Sequence, residues 1–251
     1  MKDYSKYFWI TAICLVFAAF FPAKLTLNPE MAPLSGIFII LLALPCYFAL
    51  YKWLGLKKSL ILIITLSIYA FTIETLAIIT GFPYSNFQYT ELIGFKILGY
   101  TPYTVPFAYV PLFIGCFYLA SLKSINKWKI IILSTLMVLA ADLILDPAAV
   151  ALNFWSYQSP GFFYGVPLMN FMGWILTGFL SSLISVYILS DHINDSNKPK
   201  AIISSLFLIL VFWSAVCFYL DLIIPGIIGL VFIGYILYET KGKIGEFSSN
   251  Y

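Results

Sequence analysis

Long apolar runs separated by short polar stretches set the pattern of this chain. Eight runs stand out, at about residues 8–21, 34–54, 60–80, 103–122, 128–152, 166–189, 201–219 and 223–238. A helix needs roughly 20 apolar residues to cross a bilayer, so the pattern predicts an all-α integral membrane protein with about eight transmembrane helices. The first run is short and follows Lys2 and Lys6, the outline of a signal peptide. No small-x-small cleavage site follows it, and a retained helix is expected. The last two runs are parted only by residues 220–222, around Asp221, with Pro225 just beyond. That predicts a tight helical hairpin.

The lysines test this count. Numbering the loops alternately from the N-terminus, one set holds Lys2, Lys6, Lys52, Lys57, Lys58, Lys123, Lys127, Lys129, Lys198, Lys200, Lys241 and Lys243. The other set holds only Lys24 and Lys96. Cytoplasmic loops carry the excess of basic residues, so both termini are expected in the cytoplasm. An odd number of helices would scramble the pattern. The whole of 1–251 reads as one polytopic domain, multi-pass in the cell membrane.

Composition agrees. The chain is 62% hydrophobic and 10% charged, with a mean hydropathy of +0.96, whereas a soluble domain carries about a quarter charged residues. The lipid bilayer is therefore its expected partner. No basic stripe suits nucleic acid, and the absence of arginine removes the bidentate clamps favoured for phosphates. Cys14, Cys46, Cys116 and Cys217 form no CxxC pair and read as small buried hydrophobes. The single histidine, His192, lies in the polar stretch SDHINDSNKPK and is expected to be solvated.

Against this background the acidic residues stand out. ADLILDPAAV, residues 141–150, places Asp142 and Asp146 four positions apart in apolar surroundings. With alternating helix directions, Glu74, Asp142, Asp146, Asn153, Trp155, Asn170 and Trp174 share one depth, in the half away from the lysines. Ionisable groups within a membrane are costly and usually face a cavity or a partner. Apart from Lys96, no cation lies at that depth, so at least one of Glu74 and Asp142 is expected to be protonated at neutral pH. Asp146 has a structural alternative, because Asp-Pro reads as a helix N-cap followed by a first-turn proline. For Glu74 and Asp142 the alternative is interhelical hydrogen bonding to a tyrosine, serine or asparagine. Trp155 and the tyrosines near the segment ends also suit interfacial anchoring. The outer connection, residues 81–102, is too apolar for a wet loop and reads as a cover or binding element.

These same residues carry a resemblance. TGFPYSNFQYTELIGFKILGYTPYTVPFAY, then DLILDPAAVALNFWSY, then GFFYGVPLMNFMGW are similar to the membrane carotenoid-biosynthesis proteins. That family includes the acyclic carotenoid 1,2-hydratases, among them the archaeal bisanhydrobacterioruberin hydratases. The similarity covers about residues 74–174. The chain departs from the family at Ser85, where a glycine is common, and at Ala141 and Tyr109, near positions often held by tryptophan.

The resemblance implies hydration of the terminal double bond of a long polyene, the carotenoid being the expected small-molecule partner. Such a reaction requires no metal and no cofactor. It needs an acid to protonate the alkene, stabilisation of a tertiary cation, and a base for the surplus proton of water. Glu74 and Asp142 are the expected proton-transfer pair, with Asp146 orienting them or positioning water. Asn170 is expected to hold the water or the new hydroxyl. Trp155, Trp174, Tyr84 and Tyr89 offer aromatic faces to the cation. A carotenoid end-group cyclase begins with the same protonation and is the first rival. The aspartate spacing in DLILD also suits an intramembrane prenyltransferase, which would need divalent cations on a diphosphate. Buried carboxylates equally suit a proton-coupled transporter.

Overall fold

The structure is a computed structural model that describes residues 4–246; Lys2 and the outermost residues of the expected 1–251 domain lie outside them. Eight α-helices make up most of the fold: α1 (Tyr4–Ala18), α2 (Phe20–Lys24), α3 (Ala32–Thr80), α4 (Val105–Lys123), α5 (Lys127–Ala151), α6 (Leu168–Ile188), α7 (Ser204–Tyr219) and α8 (Ile223–Thr240). Among the described residues seven helical stretches are long and apolar enough to span a membrane. The protein is an all-α membrane protein.

The expected second and third spans appear as one 49-residue element, α3. At about 1.5 Å per residue a straight helix of that length would run about 73 Å, more than twice the ~30 Å hydrocarbon core. It does not run straight. Gly55 has φ 71° and ψ 172°, outside the helical region, and the chain doubles back there. Gly36, in the first half, packs against Tyr103, and Thr75, in the second, hydrogen-bonds Thr101 at 2.7 Å. The two flanks of Gly55 instead meet one distant loop. Trp53 Nε1 donates to Asp195 Oδ2 at 2.7 Å, and Lys58 Nζ lies 3.0 Å from His192 Nδ1. The indole and the Asn197 backbone N–H together hold the Asp195 carboxyl below the usual carboxylate range. Seven helical stretches thus give eight crossings, as the lysine pattern requires.

Both ends of the described chain share one face, where Gly245 packs on Phe8 and Ala201 N–H donates to the Glu246 carbonyl. On the same face Lys123 and Glu239 pair at 2.6 Å. His192 is not simply solvated, since its ring also packs edge-on to Trp53. Cys46, Cys116 and Cys217 are buried as expected, but Cys14 is exposed on the outer surface of the bundle.

Close packing rests on small residues, as is usual where lipid supplies no hydrophobic drive between helices. Gly115 of α4 meets Leu206 of α7, and Gly178 of α6 meets Val138 of α5. Ser134 and Ser182 bond across α5 and α6 at 2.7 Å. Proline breaks are repaired by neighbours. Near Pro45, Ser205 Oγ accepts from Cys46 N–H at 3.0 Å and donates to the Ala43 carbonyl at 3.3 Å. The expected α7–α8 hairpin is present, with exposed Asp221 at φ 60° in its turn.

The connection after α3 leaves through Gly81, a left-handed C-cap. It then forms strand β1 (Phe87–Tyr89), strand β2 (Lys96–Ile97) and strand β3 (Thr101–Pro102), the last two paired with each other. Strand β1 pairs antiparallel with β4 (Trp155–Tyr157), in register Phe87 to Tyr157 and Tyr89 to Trp155. This ribbon roofs the end of the bundle opposite the termini. Alternation along the strands turns Phe87, Tyr89, Trp155 and Tyr157 to one side and Gln88 and Ser156 to the other.

Two substitutions test this packing. Ser85 sits at φ 82°, a left-handed conformation costing a residue with a Cβ about 1–2 kcal/mol. Glycine there loses part of that gain to chain entropy, so Ser85→Gly is expected to stabilise by up to about 1 kcal/mol. A Cβ on Gly115 would lie 2.6 Å from Leu206 Cβ, and Gly115→Ala is expected to destabilise by about 1–3 kcal/mol. Unfolding of the detergent-solubilised protein measures both, and equal midpoints for the three proteins would contradict the packing described.

Candidate functional site

The roofed end holds the acidic residues. Glu74, Asp142 and Asp146 are 1%, 3% and 3% exposed, and Asn170 is 2% exposed. Asp142 and Asp146, one helical turn apart, share a face of α5. Asn170 and Trp174 do the same on α6.

Each carboxyl has its own donor set. Glu74 receives one phenol on each oxygen, Tyr89 at Oε1 and Tyr109 at Oε2, both at 2.6 Å. Asp146 receives three donors. Trp155 Nε1 reaches Oδ1 at 2.7 Å, while the Tyr157 hydroxyl and Asn170 Nδ2 reach Oδ2, each at 2.7 Å. Asn170 Nδ2 also reaches Asp142 Oδ2 at 3.0 Å, so one amide bridges the two aspartates. Among the described residues, Asp142 Oδ1 accepts no hydrogen bond. Asp146 does not cap a restarted helix, because α5 continues through Pro147 to Ala151 and its carboxyl turns to the ribbon and to α6. The capping alternative is thereby replaced by side-chain donors.

A cavity of about 430 Å³ opens onto all three carboxyls. Its inner wall is aromatic, formed by Tyr84, Phe87, Tyr89, Tyr109, Trp155, Tyr157 and Trp174. Trp174 stacks on Tyr84 with ring centres 5.7 Å apart, and Tyr109 lies 5.0 Å from it. Tyr84 is fixed by a 2.7 Å bond to Thr177 Oγ1. Gly173 lets the Pro83–Tyr84 turn approach α6, since a Cβ there would lie 2.6 Å from the Pro83 carbonyl oxygen. At its other end the cavity is bounded by Ala18, Phe21, Pro22, Leu27, Met31 and Leu34. Phe21, Met31 and Leu34 are also exposed on the outer surface of the bundle. Among the described residues, no lysine or histidine lines the cavity. Lys96 serves the roof instead, donating to the Tyr89 carbonyl at 3.1 Å and pairing with Glu91 at 2.7 Å.

Of the residues singled out from the sequence, Glu74, Asp142, Asp146, Asn170, Trp155, Trp174, Tyr84 and Tyr89 reach the cavity, whereas Asn153 lies beside it, its carbonyl accepting from Thr90 Oγ1 at 2.8 Å. Glu74 stands apart with its tyrosines, and Asp142 is joined to Asp146 through Asn170. Tyr109 and Tyr157 were not singled out. The signal for Tyr157 was its two-residue offset from Trp155 in a strand. Tyr109 is marked in the sequence only as a departure near a position often held by tryptophan in the family, with no role attached to it.

A family model described as "Carotenoid biosynthesis protein" matches residues 34–236, a region that includes every residue of the cavity's acidic end. The bisanhydrobacterioruberin hydratase of Haloarcula japonica is 35% identical over 167 residues, 65% of this chain and 55% of that protein. The chain thus spans about half the length of the curated relative it matches. No solved structure matches it. With most of its length matched, this chain belongs to the carotenoid-biosynthesis protein family.

Proposed function

We propose that this protein is a hydro-lyase of the cell membrane that adds water across the terminal double bond of an acyclic carotenoid. The observation that supports this reading is three buried carboxyls converging on one aromatic, otherwise apolar cavity. The named activity of the Haloarcula japonica relative points the same way.

The chemistry follows from the residues. A carboxylic acid protonates the less substituted carbon of the terminal alkene, and the positive charge develops on the tertiary carbon. Trp155, Trp174, Tyr84 and Tyr89 offer π-faces to that charge; in a desolvated site such contacts contribute about 2 kcal/mol or more. Asn170 holds the incoming water, and a carboxylate takes its surplus proton. Glu74, Asp142 and Asp146 are the groups that move or steady these protons. The reaction is redox-neutral, and its atoms are those of alkene and water alone.

Expressed in a lycopene-making cell, the protein is expected to yield pigments heavier by one or two waters. Products of unchanged mass would indicate cyclisation instead, in which an internal alkene captures the cation. General acid–base groups contribute about 10²–10⁴-fold in rate, so Glu74→Gln and Asp142→Asn are each expected to slow turnover at least about 100-fold. Parental rates in both variants would remove this proton-transfer pair from the mechanism.

The roofed end is further proposed to face the exterior, with the termini in the cytoplasm. Leu98, near the roof, and Ile125, between α4 and α5, are both exposed. An impermeant thiol reagent is expected to label Leu98→Cys in intact cells and Ile125→Cys only after permeabilisation. The reverse pattern would invert the topology.

A further inference from the structure

The donor sets of the three carboxyls differ in a way that fixes where a proton fits. Amide and indole N–H groups donate and cannot accept, whereas a phenol does either. Asp146 has an indole N–H on Oδ1 and an amide N–H on Oδ2. With the Tyr157 hydroxyl also on Oδ2, this carboxyl accepts three hydrogen bonds, two of them from groups that cannot accept in return, and the geometry favours the carboxylate. Glu74 has a phenol on each oxygen and fits either state. Asp142 accepts a single, shared amide N–H on Oδ2, so it is the least stabilised of the three as an anion, and Oδ1, free of donors, is open to a proton. It lines the cavity, and no protein donor competes for that oxygen among the described residues.

We infer that Asp142 is the acid of this site, bearing its proton on Oδ1 towards the cavity, with Asp146 as its ionised neighbour and Asn170 as the clamp between them. The assignment rests on the hydration reading for its chemistry, but the protonation pattern belongs to the resting protein. It also supplies the base. As the Asp142 O–H bond breaks and the new C–H bond forms, two anions one helical turn apart are left sharing a single amide. Like charges in a site that excludes water favour reprotonation of one of them. When water's oxygen bonds to the tertiary carbon, the surplus water proton returns to Asp142 Oδ1. One π-bond and one water O–H are consumed, one C–H and one C–O are made, and Asp142 ends as it began. Asn170 is a positioning residue in this scheme, because its two N–H groups hold both aspartates at fixed angles. Glu74 and its tyrosines steady the cation from the other side.

Infrared spectroscopy of the resting protein in proteoliposomes at neutral pH tests the assignment without turnover. A protonated-carboxyl C=O band is expected, shifted by ¹³C-aspartate labelling and unmoved by ¹³C-glutamate labelling. It should vanish in Asp142→Asn and persist in Glu74→Gln. Should Asp142→Asn fail to fold, Asp142→Glu keeps a carboxyl in place, and the band should move from the aspartate label to the glutamate label. A parental band that follows the glutamate label, or one that stays with aspartate in Asp142→Glu, would overturn the assignment. An aspartate band lost with Asp142 in a protein that forms no hydrated carotenoid would instead uphold the proton's location and overturn the hydration reading.

Discussion

Three acidic side chains without a cation have to be satisfied inside an apolar bundle, and much of this structure is arranged by that requirement. A carboxyl removed from water and left without donors costs several kcal/mol. Here the donors come from four different parts of the chain. The β1–β4 ribbon supplies Tyr89, Trp155 and Tyr157, α4 supplies Tyr109, and α6 supplies Asn170. Each hydrogen bond therefore also ties an element to the bundle. The roof is held on its underside by the acids of α3 and α5, and its partly buried lysine, Lys96, is used to fix the carbonyl of Tyr89.

The two ends of the bundle are built on opposite electrostatic plans. At the end shared by the termini, lysines pair with acids or cap carbonyls in the loops, as in Lys123 with Glu239 and Lys198 with the Ile193 carbonyl. At the roofed end, the buried acids Glu74, Asp142 and Asp146 are answered by neutral phenols, an indole and an amide. Neutral donors hold a carboxylate in place without cancelling its charge, whereas a lysine would neutralise it and lock it in an ion pair. Donors of this kind would leave the groups available for the proposed proton transfer. The break at Gly55 belongs to the same division, since it returns the chain across the membrane so that Glu74 arrives beside α4, at the height of Tyr109.

What could be read in advance follows from which forces are local. Apolar run length and lysine alternation report directly on the solvent, so the eight crossings and the shared depth of Glu74, Asp142, Asp146 and Asn170 were legible. Gly55 was not legible as a break within one helical element, because a single left-handed residue between two apolar runs looks like an ordinary loop. The Asp-Pro pair misled in a comparable way. Capping is a local rule, but Asp146 is claimed by Trp155, Tyr157 and Asn170, partners that only tertiary structure brings within reach. Ser85, read as a departure from the family's glycine, does occupy a conformation with positive φ. The pairing of Phe87 with Tyr157 across the roof lay beyond the sequence altogether, since strands of three residues carry almost no periodic signal.

Shape makes the last link between the site and its proposed chemistry. The cavity has one end at the acids and the other among Phe21, Met31 and Leu34, which also form the lipid-facing surface. An apolar rod entering from the bilayer would lose no hydration on the way in, so little of its binding energy would go to desolvation. Only its tip could reach Asp142, which would confine reaction to a terminal bond without any group to measure the length of the chain. The polar groups of the site include the acids, their donors, Ser35 and Thr104. A carbocation formed there would meet aromatic faces and at most a little water. That environment favours capture by a single oxygen nucleophile over escape to solvent, and it gives a physical reason to build this site inside a membrane rather than at its surface.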